Sequence, residues 1–331
     1  MYVPYQPISK KGDETAFVPI ELQEAQQQGI KLLPSKLTTN WDEWVAKEIG
    51  FNNKEELFEV FSAEQIDSIG LTIYNFNNGH GFIIADETGI GKGRILSGIC
   101  RWAITHGKKI MFFTERESLF TDFWRDLNDT KTIPLLEKPV VFHGTAKVYD
   151  QNTGDVVLKG VPKSVKEISK NGFLPETNFV MTSYSQISGK THKETKQDIM
   201  IDYCNQNLII MDESHNGTGD SNTKKFLMSL TEVSSNIVFS SATYIKDESQ
   251  LDIYEKVISF DSSTIKLMKK LLKSDENMIL RKVFTYELTK KLQFWRREHA
   301  PIEGDWKTVL CERYEEQSKY LNQFSYTLNS L

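Results

Sequence analysis

Short apolar runs, each closed by polar or turn-forming residues, punctuate the middle of the chain at residues 81–85, 109–114, 178–183, 207–211 and 235–240. They are apolar on both faces and do not alternate, the pattern of strands buried in a parallel sheet with helices on either side. A sixth, weaker run lies at 140–142. Between the runs the spacing turns helical. Ile95, Leu96, Ile99, Trp102 and Ala103 share one face of a helix that Gly107 is suited to stop. Leu119, Phe123 and Leu127 mark a second helix, and 224–230 a fainter third. Strands alternating with helices predict a doubly wound α/β domain over 61–250, a central, mostly parallel sheet flanked by helices. Ligands of such sheets gather at the carboxyl ends of the strands, so the chemistry should sit directly after a strand.

The rhythm breaks over 144–176, where a turn at 152–154 predicts a hairpin and Lys159, Lys163, Lys166 and Lys170 follow. This segment reads as an insertion, its lysines serving as a solvated helix face or as nonspecific phosphate contacts. Residues 1–60 form a Pro-punctuated extension with helices expected at 19–29 and 41–49, and 251–331 reads as a charged helical linker.

Three motifs meet the strand-end demand. "ADETGIGKGR" follows the run at 81–85 and opens a helix, the context of a phosphate loop. Asp86, Thr88, Gly89, Ile90, Gly91, Lys92, Gly93 and Arg94 are its candidate nucleotide-binding residues. The glycines let backbone N–H groups turn toward phosphates, and Lys92 reaches the outer ones. Gly93 replaces the Ser or Thr whose hydroxyl would bind Mg²⁺. Mg²⁺ needs few protein ligands, and "DESH" supplies a carboxylate at the end of the run 207–211. Asp212 would hold the metal, partly through water, and Glu213 would orient and deprotonate the attacking water, with His215 beside them. "SSATY" follows the last run, where the hydroxyls of Ser241 and Thr243, flanking Ala242, are placed to bond the acidic loop, particularly His215. Gly189-Lys190-Thr191 imitates the end of a phosphate loop without its glycine-rich turn and is a decoy.

In this order the three motifs resemble the first motor lobe of superfamily 2 helicases and translocases, most closely the strawberry notch family and its phage anti-restriction relatives. "YVPYQPISK", "SAEQID", "FFTERESLFTDFWRDLND" and "FWRREH" also look like features of that family. The resemblance implies a RecA-like P-loop NTPase lobe that binds ATP and Mg²⁺ and acts on nucleic acid, expected to be DNA. It makes Gln65 the reader of adenine. Thr114, Glu115, Arg116, Thr182, Ser183 and Tyr184 become nucleic-acid contacts at the ends of two strands. It also implies a second RecA-like lobe, in a longer chain or in trans, because no arginine-finger motif follows Thr243. By family position Arg296 and Arg297 belong to the connector between lobes. A nucleotide-binding interaction module, such as a packaged phage protein, is the alternative; the spacing of DESH and SAT disfavours a metabolic P-loop kinase.

Composition narrows the picture further. Forty basic against 45 acidic side chains leave a net charge of −5, so nucleic-acid contact must be local. Three scattered cysteines (Cys100, Cys204 and Cys311) suggest neither a zinc site nor a disulfide framework. No run approaches the roughly 18 apolar residues of a membrane span, and the opening lacks the apolar segment of a secretory signal. The expectation is a cytoplasmic protein, or a virion-packaged one if phage-encoded.

Overall fold

A computed structural model describes residues 2–12, 16–188, 193–216, 222–243, 251–254 and 277–299, with 266 and 270. Gly189, Lys190, Thr191 and Cys311 lie outside the described residues, as do 255–265, 267–269, 271–276 and 300–331 of the linker expected over 251–331. In chain order the strands are β1 (Tyr2–Pro4), β2 (Ala16–Pro19), β3 (Phe82–Ile84), β4 (Ile110–Thr114), β5 (Val140–Val141) and β6 (Lys147–Tyr149). They continue with β7 (Val156–Lys159), β8 (Phe179–Ser183), β9 (Leu208–Asp212), β10 (Ile237–Ser240), β11 (Phe294–Trp295) and β12 (Glu298–His299).

Seven of them form one sheet in the order β11-β3-β10-β9-β4-β8-β5, and each neighbouring pair is parallel. The doubly apolar runs are therefore strands covered on both faces. All five residues of β4 and all five of β8 are buried, and each fully buried Ile, Val, Met or Phe side chain contributes about 1.5–3 kcal/mol. The helices Lys92–Thr105 and Leu119–Asp129 carry much of that cover. Phe123 of the second stacks on Phe112 of β4, ring centres 4.1 Å apart, so Phe123 and the buried Trp124 are core residues.

The stretch beyond Lys246 is more than the helical linker its composition suggests. After the helix Asn277–Lys290 the chain re-enters the sheet as β11, beside β3. The N–H groups of Ile83, Ala85 and Glu87 donate in turn to the carbonyls of Gln293, Trp295 and Arg297. A two-residue strand carries no periodic signal; its partner defines it.

The chain then pairs β12 with β2, which pairs in turn with β1, fixing the opening of the chain beside the same edge. Asp67 anchors this packing. Its carboxylate accepts from Tyr5 Oη, the N–H groups of Ile8 and Ser9, and Trp41 Nε1 at 2.7–2.9 Å. β6 and β7 form the expected hairpin, and Lys159, Lys163, Lys166 and Lys170 are exposed on it and on the helix Pro162–Asn171. Residues 1–300 make one compact unit. Among the described residues no helix is long and apolar enough to cross a membrane.

Candidate nucleotide site

The phosphate loop leaves β3 and turns on two left-handed glycines, Gly89 at φ 101° and Gly91 at φ 94°, conformations costly to a residue bearing a Cβ. Gly91 caps the helix Lys92–Thr105 without a side chain, so the N–H groups of the first turn are not taken by a side-chain cap. An anion is their natural partner. Lys92 Nζ donates to the carbonyl of Asp86 at 3.0 Å, spanning the loop from within.

Gln65 braces the loop from below. Its Nε2 donates to the carbonyl of Ile90 at 3.4 Å, while its Oε1 accepts from the Ser62 N–H in a capping box that starts the helix Ala63–Asn77. The residue is buried, and its amide is used by the loop and by its own helix.

Two loop assignments need correction. The Asp86 carboxylate does not face a ligand: it is fully buried and accepts from the Arg297 N–H at 2.8 Å, Nε at 3.1 Å and Nη2 at 2.5 Å. Arg297 also donates to the carbonyl of Glu64 and to Ser68 Oγ, so this ion pair stitches β11 to the base of the loop. Arg94 does not point at phosphates either. It pairs with Asp129 at 3.2 Å and reaches the carbonyl of Val60, clamping the first helical turn to its neighbours.

The glycine at 93 has a steric reason. A Cβ there would lie 1.9 Å from Oδ2 of Asp126, on the adjacent helix Leu119–Asp129. The space of a Ser or Thr side chain is filled by that carboxylate, which burial raises above the usual aspartate pKa while Arg125 works against the shift.

At the end of β9, Asp212 is held from both neighbouring strands. Thr114 Oγ1 donates to Oδ2 at 3.3 Å from β4, and Ser240 Oγ to Oδ1 at 3.0 Å from β10. Burial, then the charge of Glu213, push its pKa up to about 6; Ser240, the Lys92 charge and Thr114 oppose the rise. Ile84, just ahead of the phosphate loop, and Asp212 both register with Ser240 of β10, so the two motifs end on the same side of the sheet. Glu213 itself sits at φ 46°, a left-handed conformation costing a non-glycine residue roughly 1–2 kcal/mol. His215 Nδ1 lies 3.3 Å from Glu213 Oε2 and 2.8 Å from Ser241 Oγ, and Ser241 Oγ accepts from the Thr243 N–H at 3.1 Å. The acidic loop and the 241–243 loop are thus joined through His215. Among the described residues no hydrogen bond draws Ala242 into that link.

The donor set suits Mg²⁺. Among the described residues no cluster of three or more Asp, Glu, His or Cys forms a cage, and Mg²⁺ prefers one or two carboxylates plus phosphates and water. Asp212 would hold it.

The strand-end residues expected to touch nucleic acid divide in two. Thr114, Thr182, Ser183 and Tyr184 are buried: Thr182 donates to the carbonyl of Phe142, Ser183 pairs with Ser185, and Tyr184 Oη donates to the Asp212 carbonyl at 2.9 Å. Thr114 and Tyr184 thus hold Asp212, while Thr182 and Ser183 bond Phe142 and Ser185. Glu115, Arg116 and Ser183 line an open cleft of about 350 Å³, with Glu117, Ser118 and Ser185. Sequence reading missed Asp126, Ser240 and Arg297. All three lie in quoted stretches, Asp126 in "FFTERESLFTDFWRDLND", Ser240 in "SSATY" and Arg297 in "FWRREH", but their partners lie far along the chain.

A left-handed glycine loop and a strand-end Asp-Glu pair, at the carboxyl ends of the strands of a parallel sheet, define a P-loop nucleotide-hydrolase lobe. Residues 46–276 match the family model described as P-loop containing NTP hydrolase pore-1, and the chain belongs to that family. Protein strawberry notch homolog 2 of Mus musculus is 29% identical over 150 residues, 44% of this chain and 9% of that protein. Among solved structures, the SWI2/SNF2 ATPase core of Sulfolobus solfataricus in complex with dsDNA is 17% identical at a TM-score of 0.46, covering 71% of this chain and 44% of that one. A nuclease-deletion mutant of the Type ISP restriction-modification enzyme LlaGI, with a DNA substrate mimic, is 16% identical at a TM-score of 0.41, covering 70% and 25%. The chain thus spans less than half the length of each of these proteins.

Proposed function

We propose that this chain is the ATP-binding first lobe of a superfamily 2 DNA translocase, which couples hydrolysis to movement when joined by a second RecA-like lobe. The observation that carries the reading is the alignment of the two motifs across β10: Ser240 registers with Ile84, just ahead of the phosphate loop, and with Asp212, whose carboxylate is held by Thr114 and Ser240. Loop N–H groups and Lys92 bind and orient the phosphates. Mg²⁺ bound near Asp212 would neutralise charge on the outer phosphates. Glu213 accepts the proton of the water that attacks the terminal phosphorus. His215, touching both Glu213 and Ser241, supports a path by which the phosphate state reaches the loop at 241–243. The exposed Glu115–Ser118 loop is the proposed DNA-facing surface, with Thr114 leading directly back to Asp212.

ATP binding and turnover by the 331-residue chain test this. Lys92→Ala should weaken ATP binding by about tenfold, the loss of roughly 1.4 kcal/mol from one charge-assisted contact. Glu213→Gln should keep binding and abolish turnover. Without arginine fingers from a second lobe, turnover should lie about 10³–10⁵-fold below motor rates. ATP binding indifferent to Lys92 would sink the site; duplex-stimulated turnover at motor rates by this chain alone would sink the need for a partner lobe.

A further inference from the structure

Gly93 leaves the phosphate loop one metal ligand short, and another segment can supply it. In a phosphate loop the residue after the lysine offers a hydroxyl to the Mg²⁺ held on the outer phosphates. Here a Cβ at position 93 would lie 1.9 Å from Asp126 Oδ2, far inside any non-bonded contact. An acidic oxygen of the helix Leu119–Asp129 therefore occupies the volume that such a side chain would fill.

That oxygen is available. Asp126 Oδ1 accepts from Arg125 Nε at 3.4 Å and Nη2 at 3.2 Å, whereas among the described residues Oδ2 accepts no hydrogen bond. The side chain is 15% exposed, so the carboxylate is neither sealed from water nor fully paired. Arg94, in the same first turn as Gly93, is held by Asp129 and the Val60 carbonyl and leaves Oδ2 open. The helix Lys92–Thr105 packs against both the helix of Asp126 and β9, the strand that ends in Asp212. The loop thus has one carboxylate on the sheet side and one on the helix side.

We propose that Asp126 is a second protein ligand for the Mg²⁺ of the bound nucleotide, a carboxylate from the neighbouring helix in place of the loop hydroxyl. The inference rests on the nucleotide-site reading above. Mg²⁺ takes oxygen ligands and is held by one or two carboxylates together with substrate phosphates, so Asp126 and Asp212 complete its protein share. A hydroxyl is neutral and tolerates phosphate with or without the metal. A carboxylate beside phosphates repels them until the cation is present. Nucleotide binding by this chain therefore depends on Mg²⁺ more steeply than a hydroxyl-bearing loop requires, and Asp126 is the residue that makes it so.

Equilibrium titration of the full 331-residue chain with ATP, once with Mg²⁺ and once in EDTA, tests this. Asp126→Asn, which keeps the shape of the side chain, should weaken ATP about fivefold with Mg²⁺ and leave it unchanged or tighter in EDTA, whereas Lys92→Ala weakens both. Gly93→Ser combined with Asp126→Ala should bind ATP with Mg²⁺ about fivefold more tightly than Asp126→Ala alone, because the hydroxyl returns as the space opens. If Asp126→Asn changes the two affinities by the same factor, or changes neither, Asp126 only packs against the loop and the inference fails. A double variant no tighter than Asp126→Ala also overturns it. If ATP binding does not depend on Lys92, the nucleotide reading itself falls.

Discussion

Gly93 stands where a phosphate loop would carry a hydroxyl, and the reason lies on the neighbouring helix. Asp126 Oδ2 occupies the position, 1.9 Å from any Cβ at 93, so loop and helix form one fitted pair. Restoring the hydroxyl should therefore harm the protein. Gly93→Ser is expected to cost about 1–3 kcal/mol by overpacking, and Asp126→Ala in the same chain should recover most of it; urea unfolding of the single and double variants decides. A Gly93→Ser protein as stable as the parent would contradict the contact. Asp67 offers a second test, through pH. Burial raises its carboxyl to about 6 from an ordinary value of 3.8, against the pull of Tyr5, Ile8 and Ser9. Folding then takes up a proton between those two values, so this group's contribution to stability falls as pH rises from about 4 to 6 and is flat above. The full difference is about 3 kcal/mol. Asp67→Asn has no such proton to take up, so its unfolding free energy should lack that slope; parallel pH profiles for the two proteins would refute the assignment.

β11 shows how much rests on two residues. It adds an edge to the sheet, continues a backbone ladder up to Glu87, and delivers Arg297 to Asp86 inside the protein, where both side chains are fully buried. Arg297→Met leaves Asp86 as an unpaired buried charge and should cost about 3–5 kcal/mol, whereas Arg297→Met with Asp86→Asn should cost markedly less, because the stranded charge is gone. Additive losses in denaturant melts would mean that the two do not act as a pair. β11 also marks what could be read in advance. The strands that carry the motifs were legible because each is a continuous apolar run closed by a turn, and the motifs were legible because they follow those strands. β1, β2, β11 and β12 are two to four residues long and exist by pairing, across separations such as that between Ile83 and Phe294. The same limit hid the partners of the site residues. Arg94 and Asp86 were placed correctly in the loop, yet their side chains answer to Asp129 and Arg297, which spacing along the chain does not connect to them. "SAEQ" held a capping-box pattern that announced the inward turn of Gln65.

Charge constrains how the proposed DNA contact can be made. With a net charge of −5, long-range attraction does not gather a duplex onto it, and the cationic groups nearest the proposed contact are few. Arg116 stands in the cleft after β4, already paired with Glu115 at 3.2 Å. Lys163, Lys166 and Lys170 project from the helix Pro162–Asn171. A duplex held by two or three such groups releases correspondingly few counterions. The logarithm of the binding constant should therefore fall against the logarithm of salt with a slope of about −2 to −3, since each neutralised phosphate contributes roughly −0.9. Arg116→Ala should reduce that slope by about one and weaken binding without regard to sequence. Fluorescence anisotropy with a labelled duplex across a salt series measures both. A slope steeper than about −6 would mean that more phosphates are neutralised than these few groups can meet. An unchanged slope in Arg116→Ala would move the contact away from the cleft and break the proposed line from DNA through Thr114 to Asp212.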